Sequence, residues 1–289
     1  LTLDSYETIS LSVGDATTAS GSAVLAAVYT VALTSSEAEA ISVDVTSGVD
    51  LALSLSATAA TSLVVSGSGD VSVDGNAAGL DVSAIDLSGD LTMTSTAIAG
   101  TAAADAVSVA LGSGDDTISI GIGRLDVDLG GGDDTLNVTA NGVADLTRRD
   151  TLDGGTGTDT FDGALVTGVT ETGSAASIGA VINLGATSVT GTTVFAETGA
   201  YISGSASSVG SGKVAYLFTA DATTNSANMS TVSNFENVVG TTGADYIVGD
   251  AGANSIDGGT GADVVTGGSG ADTFVFAAGD SGQTAALAD

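Results

Sequence analysis

The chain of 289 residues has no cysteine, no histidine, no proline and no tryptophan. Without cysteine and histidine, disulfides, zinc sites of the Cys/His kind, haem ligation, and Ser-His-Asp or Cys-His catalysis are all excluded. Basic residues are nearly absent too: four Lys+Arg stand against 35 Asp+Glu, a net charge of −31. Arg124, Arg148, Arg149 and Lys213 are too few and too scattered to neutralise phosphates, so no nucleic acid is expected as a partner, and an anionic bilayer fits no better. No apolar run approaches the roughly 18 residues of a membrane-spanning helix, so no membrane insertion is expected. The opening Leu1-Thr2-Leu3-Asp4 lacks the basic region of a signal peptide, and the chain starts without Met and stops at Ala288-Asp289. A processed or partial chain is the expectation.

What is present points to order. The chain is 43% hydrophobic with a mean hydropathy of +0.41, whereas chains disordered by their charge are poor in aliphatic residues. Aromatics make up only 4%, so the core must be thin and built from Ala, Val, Leu and Ile, which disfavours long packed helices. Forty-two glycines without a single proline suggest repeated turns that need positive φ and free backbone N–H groups. A chain this acidic repels itself, and a cationic partner reconciles the charge with the hydropathy.

Repeats supply the next step. From Gly240 to Val275 the sequence divides without gap into four nonapeptides, GTTGADYIV, GDAGANSID, GGTGADVVT and GGSGADTFV. Position one is Gly, four is Gly, six is Asp or Asn, and eight is apolar: Ile247, Ile256, Val265 and Phe274. Two further clusters lie upstream, Leu111-Gly112-Ser113-Gly114-Asp115-Asp116 and Leu129-Gly130-Gly131-Gly132-Asp133-Asp134, whose last aspartates are separated by the length of two nonapeptides. Another copy, GGTGTDTFD, runs from Gly154 to Asp162. The interval from Asp134 to its Asp159 is longer than two nonapeptides, which implies that Leu146 to Asp150, with Arg148 and Arg149, bulges out as an insertion.

The remaining sequence alternates in the manner of short strands, as in Asp70–Asp74, Leu80–Leu87, Asp90–Thr94 and Ile41–Val45, although Glu37–Ala40 has the composition to begin a short helix. Four regions follow: a strand-rich stretch, 1–100, read as solenoid; a roll with acidic turns, 101–162; a Thr/Ser/Gly-rich connecting region, 163–233, with strand-like Ala180–Leu184 and Val214–Phe218; and a carboxyl roll with its flank, 234–289. Phe274 and Phe276 read as aromatics closing the core at the last coil.

The nonapeptide GGxGxDxUx resembles that of RTX proteins, a repeat known as a calcium-binding β-helix. Asn234–Gly240 before the array, and Ala271–Phe276 with Ala277–Ser281 after it, resemble the flanks of RTX arrays. The Thr/Ser/Ala/Val-rich body resembles calcium-dependent bacterial S-layer proteins exported by type I secretion. The resemblance implies an all-β fold, a parallel β-helix or β-roll solenoid, in which six residues of each repeat form a metal-binding turn and three a strand. It implies several Ca²⁺ ions held between turns two repeats apart, pairing Asp116 with Asp134, Asp245 with Asp263, and Asn254 with Asp272. The candidate ligand set comprises Asp115, Asp116, Asp133, Asp134, Asp153, Asp159, Asp245, Asn254, Asp257, Asp263 and Asp272. Turn glycines Gly112, Gly114, Gly130, Gly132, Gly243, Gly252, Gly261 and Gly270 accompany it by offering their backbone. Asn254 departs from the Asp pattern and weakens its site; Asp159 has no partner two nonapeptides away on either side.

Simple electrostatics agrees with a metal. Carboxylates on adjacent strands stand about 4.8 Å apart. Each pair then repels by about 3 kcal/mol at an effective dielectric of 20, and a hard divalent cation with oxygen ligands reverses the sign. The plainer alternative is a glycine-rich solenoid whose aspartates only cap turns. Paired carboxylates also evoke glycoside hydrolases, but these acids sit in glycine turns without aromatic sugar platforms. A polysaccharide lyase would want basic residues, and Glu171 and Glu197 read as surface acids. The expectation is therefore a non-enzymatic, secreted or cell-surface structural protein, an S-layer or similar array subunit that self-associates into a lattice or filament when Ca²⁺ is bound. A cell-surface glycan or lipopolysaccharide is a further candidate partner. The alternative is the calcium-folding carboxyl module of a larger RTX adhesin or hydrolase.

Overall fold

A computed structural model describes residues 2, 8–14, 27–46, 49–75, 79–99, 106–121, 123–139, 150–166, 169–170, 177–190, 208–216, 229–277 and 284–286. The segment around Arg148 and Arg149 lies outside them, as does the end of the strand-like run at Phe218. Among the described residues every regular element is a strand. Alternating apolar residues set this pattern: Val49–Ala57 buries Val49, Leu51, Leu53, Leu55 and Ala57 and turns Ser54 and Ser56 outward.

Successive strands alternate between two parallel sheets, so each pair of strands makes one coil of a solenoid. The first sheet has ten strands, running from Ala27–Ser35 through Thr117–Ile120, Thr135–Val138, Thr160–Asp162, Asn237–Val239 and Ser255–Asp257 to Thr273–Val275. The second has fourteen, from Thr8–Val13 through Asp81–Leu87, Val107–Ala110, Leu125–Asp128, Thr151–Asp153 and Ser230–Ser233 to Val264–Thr266 and Thr284–Ala286. The parallel solenoid expected from the repeats is thus the fold, and it extends well upstream of them. A single stack of Leu, Val and Ile fills the space between the sheets, with Phe161 as its largest fully buried side chain. Phe161 meets Phe235 edge to face at 5.9 Å.

Register shows how insertions are absorbed. In the first sheet Thr117 pairs with Thr135, Thr135 with Thr160, Thr160 with Asn237, Asn237 with Ser255, and Ser255 with Thr273. Most neighbouring rungs are therefore two nonapeptides apart in sequence, but the step from Thr135 to Thr160 is longer and that from Thr160 to Asn237 far longer, while all remain adjacent in space. The long interval is used in the second sheet, where strands Lys213–Tyr216 and Ser177–Asn183 pair antiparallel with each other. They stand between Ser230–Ser233 and Ala244–Val248. The first sheet has no such interruption, because Asn237–Val239 pairs directly with Ser255–Asp257.

Two expectations need correction. Glu37–Ala40 starts no helix: the Ser35 hydroxyl accepts the N–H groups of Glu37 and Ala38, closing a tight turn into strand Ala40–Val45. Phe276 does not close the core, since it is 57% exposed; Phe274 alone packs against the apolar stack.

Candidate metal centre

Turns from the second sheet to the first run down one edge of the solenoid, and each ends on a polar residue just before a Thr/Ser/Asn-plus-apolar pair. The recurring order is Asp116-Thr-Ile, Asp134-Thr-Leu, Asp159-Thr-Phe, Glu236-Asn-Val, Asn254-Ser-Ile and Asp272-Thr-Phe. The apolar residue of each trio enters the core, and its strand fixes the acid at the mouth of the turn.

These side chains form a ladder along the edge. Asp116 Oδ1 accepts the Leu91 N–H at 2.6 Å, and Asp134 Oδ1 accepts the Asp116 N–H at 2.7 Å. Asp159 Oδ1 accepts the Asp134 N–H at 2.9 Å, and Glu236 Oε2 accepts the Asp159 N–H at 2.9 Å. Asn254 Nδ2 then donates to the Glu236 carbonyl at 3.1 Å, and Asp272 Oδ1 accepts the Asn254 N–H at 3.0 Å. Asp159 therefore has partners on both sides, contrary to the expectation from the two-nonapeptide spacing. The longer sequence interval before it and the far longer one after it leave the rungs adjacent; Asp150, expected to bulge out, is buried and accepts the Leu125 N–H. Glu236 escaped the sequence reading because its turn, Asn234-Phe235-Glu236, is too short to carry a nonapeptide. The trio pattern is the signal that would have found it.

Each of Asp116, Asp134 and Asp159 is at most 1% exposed, yet its second carboxyl oxygen, Oδ2, is buried without a hydrogen-bond partner. Loss of water pushes the Asp116 carboxyl up to about 6, with Asp90 and Asp115 adding to the shift against the opposing Leu91 and Gly112 N–H groups. Burial likewise pushes Asp134 to about 7, the charges of Asp116 and Asp159 contributing, and Asp159 to about 6 with Glu236 contributing. Unpaired oxygens in a dry setting are costly in an apo protein. The oxygen-only donor set fits a hard divalent ion.

Glycine carbonyls complete the surroundings. A Cβ on Gly132 would fall 2.2 Å from the Gly114 carbonyl oxygen, and one on Gly157, at φ +149°, 1.7 Å from that of Gly132. Only glycine lets successive turns nest so closely. Gly112 lies beneath Gly130, as Gly130 does beneath Gly155, with the same close approach to the carbonyl of the rung before. Among the described residues no group of three or more acidic side chains is placed to hold an ion by itself, so backbone oxygens must supply much of any shell.

The other predicted residues occupy distinct positions. Asp115 and Asp133 are exposed and belong to an outer ladder in which each Oδ1 accepts an N–H of the next turn: the Asp133 N–H goes to Asp115, and the Thr158 N–H to Asp133. The outer ladder continues upstream through Asp90, Asp70 and Asp50, which the repeat pattern did not reveal. Asp153 and Asp257 brace the starts of turns, accepting the N–H groups of Gly155 and Gly259; Asp153 also takes the Asn234 amide at 2.7 Å.

Asp245 and Asp263 sit on the opposite edge, both fully buried, with Asp263 Oδ1 accepting the Asp245 N–H at 2.9 Å. Asp245 is held differently from the acids on the first edge. Its Oδ2 accepts the Thr241 N–H at 2.8 Å, the Thr241 hydroxyl reaches both oxygens, and Oδ1 accepts the Ala180 N–H. Burial still pushes it up to about 8, with the Asp263 charge contributing. Gly243 lies beneath Gly261, and Gly252 beneath Gly270, repeating the nested carbonyl arrangement.

Comparison with known proteins agrees with this geometry. The RTX calcium-binding nonapeptide repeat matches the chain in four copies, over residues 145–165 and 239–274. No curated protein and no solved structure matches it. The turns ending at Asp116 and Asp134 lie outside the matched spans, yet they continue the same ladder.

Proposed function

We propose that this chain, whose RTX repeats bind several Ca²⁺ ions, is an extracellular structural protein of the S-layer or similar surface-array kind that folds and assembles when calcium is available. The observation that carries the calcium part is the row of buried, unpartnered Oδ2 atoms on Asp116, Asp134 and Asp159. In this reading those three, with Asp263 and Asp272, are the principal carboxylate ligands, backbone carbonyls of the glycine turns fill the shells, and Asn254 marks a weaker site. Asp115, Asp133, Asp153 and Asp257 shape the turns or ligate from the rim. Bound ions would offset the repulsion stored in a chain of net charge −31 and release the fold only where Ca²⁺ is abundant.

The assembly part is supported by the edge of the first sheet: among the described residues Thr273–Val275 pairs with Ser255–Asp257 alone, and Val275 and Phe276 beside it are 40% and 57% exposed. Strand ends of this kind must be covered or joined to another chain. The same ladder would serve a calcium-folding carboxyl module of a larger RTX adhesin or hydrolase, and particle growth on Ca²⁺ addition separates the two readings. Circular dichroism and light scattering during a Ca²⁺ titration after EDTA, with Mg²⁺ at matched ionic strength, test it. A gain of β signal near millimolar Ca²⁺ followed by growth of ordered particles is expected; a folded spectrum in EDTA that Ca²⁺ leaves unchanged would refute it.

A further inference from the structure

The turn before the first glycine-rich cluster is short, Leu87-Ser88-Gly89-Asp90, and carries no nonapeptide. Upstream of it, strands of the first sheet begin on main-chain bonds: the Leu51 N–H goes to the Asp70 carbonyl and the Val71 N–H to the Asp90 carbonyl, both at 2.8 Å. At Leu91 this changes, and the N–H goes to a carboxylate, Asp116 Oδ1, at 2.6 Å. The Asp116 side chain thus reaches back across the gap to the 87–90 turn rather than forward. Its Oδ2 is buried there without a partner.

The facing backbone is equally unusual. A Cβ on Gly112 would lie 1.9 Å from the Leu87 carbonyl oxygen and 2.7 Å from that of Ala84, and a Cβ on Gly114 would lie 2.3 Å from that of Gly89. Three carbonyl oxygens therefore press against the Gly112–Gly114 arc, as the glycine carbonyls do between the later turns. Asp90 flanks the gap, its Oδ1 accepting the Asp115 N–H at 2.8 Å. Its charge and that of Asp115 act on Asp116.

We infer that a Ca²⁺ site lies between the 87–90 turn and the 111–116 turn, one coil ahead of the first glycine-rich cluster, with Asp116 Oδ2 and turn carbonyls as ligands and Asp90 supplying the second negative charge. It rests on the calcium reading above and adds an ion that the repeat motif does not encode. The 87–90 turn is where the main-chain bonds of the upstream strands give way to the carboxylate ladder.

Equilibrium dialysis of ⁴⁵Ca²⁺ on the full chain counts the ions. Asp90→Asn keeps the oxygen that accepts the Asp115 N–H and removes only the charge, and Asp70→Asn makes the same change one rung further up. Asp90→Asn is expected to bind one ion fewer than the unmodified chain at the free Ca²⁺ that just saturates the latter, through at least a tenfold loss at one site, with its calcium-loaded circular dichroism retained. Asp70→Asn is expected to bind the full number. An unchanged count and affinity in Asp90→Asn, alongside a lost ion in Asp116→Asn, would overturn the inference and leave the calcium reading standing. An unmodified chain that binds no Ca²⁺ would overturn both.

Discussion

Asp116, Asp134, Asp159 and Asp245 all hold their protons more tightly in the fold than the ordinary carboxylate value of 3.8, at about 6, 7, 6 and 8. Because the folded values are raised, the calcium-free fold retains protons that the unfolded chain has released. Stability from these groups is complete below about pH 4 and is lost as pH rises through the folded values, up to about 8. In EDTA the β signal should therefore be strongest near pH 5 and be lost as pH rises toward 8. With millimolar Ca²⁺ the trend should flatten, since the ion keeps these carboxyls deprotonated in the fold as they already are in the unfolded chain; the Ca²⁺ affinity itself should fall about tenfold per unit drop in pH for each proton displaced. Asp134→Asn separates this from general charge repulsion: it keeps the acceptor for the Asp116 N–H, so its calcium-free form should keep its β signal to a higher pH than the unmodified chain. A calcium-free β signal that grows with pH would contradict the assignment of these carboxyls as buried.

Among the elements, strand Ser177–Asn183 gives Asp245 Oδ1 a partner, whereas Oδ2 of Asp116, Asp134 and Asp159 has none. Its Ala180 N–H occupies Asp245 Oδ1, and a Cβ at Gly179 would lie 2.2 Å from that oxygen. Gly179→Val should push the strand off Asp245 and destabilise the calcium-loaded protein by about 1–3 kcal/mol. Hydrogen exchange should quicken in Ala244–Val248 and stay unchanged in Thr117–Ile120; equal effects on both strands would show that the strand has no special hold on Asp245. The residues forecast unevenly which elements could be foreseen. Two nonapeptides make one coil, so the stacking of Asp116 on Asp134, Asp245 on Asp263 and Asn254 on Asp272 was legible from the repeat together with the RTX resemblance, and the alternating strands from Ala40–Val45 to Leu91–Ile98 from their patterning. The insertion of Ser177–Asn183 and Lys213–Tyr216 into one sheet was not, because their Val/Ala/Ile pattern specifies a strand but not its neighbours. The ladder partners of Asp159, and Glu236 itself, were missed for a related reason: register is set by backbone pairing in space, and the long interval between their rungs carries no period.

Across the whole molecule, the ladder from Leu91 through Asp116, Asp134, Asp159, Glu236 and Asn254 to Asp272 runs past the inserted strands without a break. Two calcium-turn segments separated in sequence are thus one column in space. In a solenoid each coil is stabilised chiefly by its neighbours, so order propagates along a contiguous stack and stops at a weak interface. Glu236 is the rung that would be weak if the two segments were independent, and its carboxylate bonds to Asp159 while its carbonyl bonds to Asn254. Calcium-driven folding should therefore be a single transition: hydrogen-exchange protection of Thr117–Ile120 and of Ser255–Asp257 should appear at the same free Ca²⁺. Glu236→Ala removes the acceptor for the Asp159 N–H, at a cost of about 1–3 kcal/mol, and should split the transition, the 255–257 strand then ordering at a different Ca²⁺ concentration from the 117–120 strand. Two separate midpoints in the unmodified chain would mean that the column is divided at the inserted strands despite its continuous hydrogen bonds.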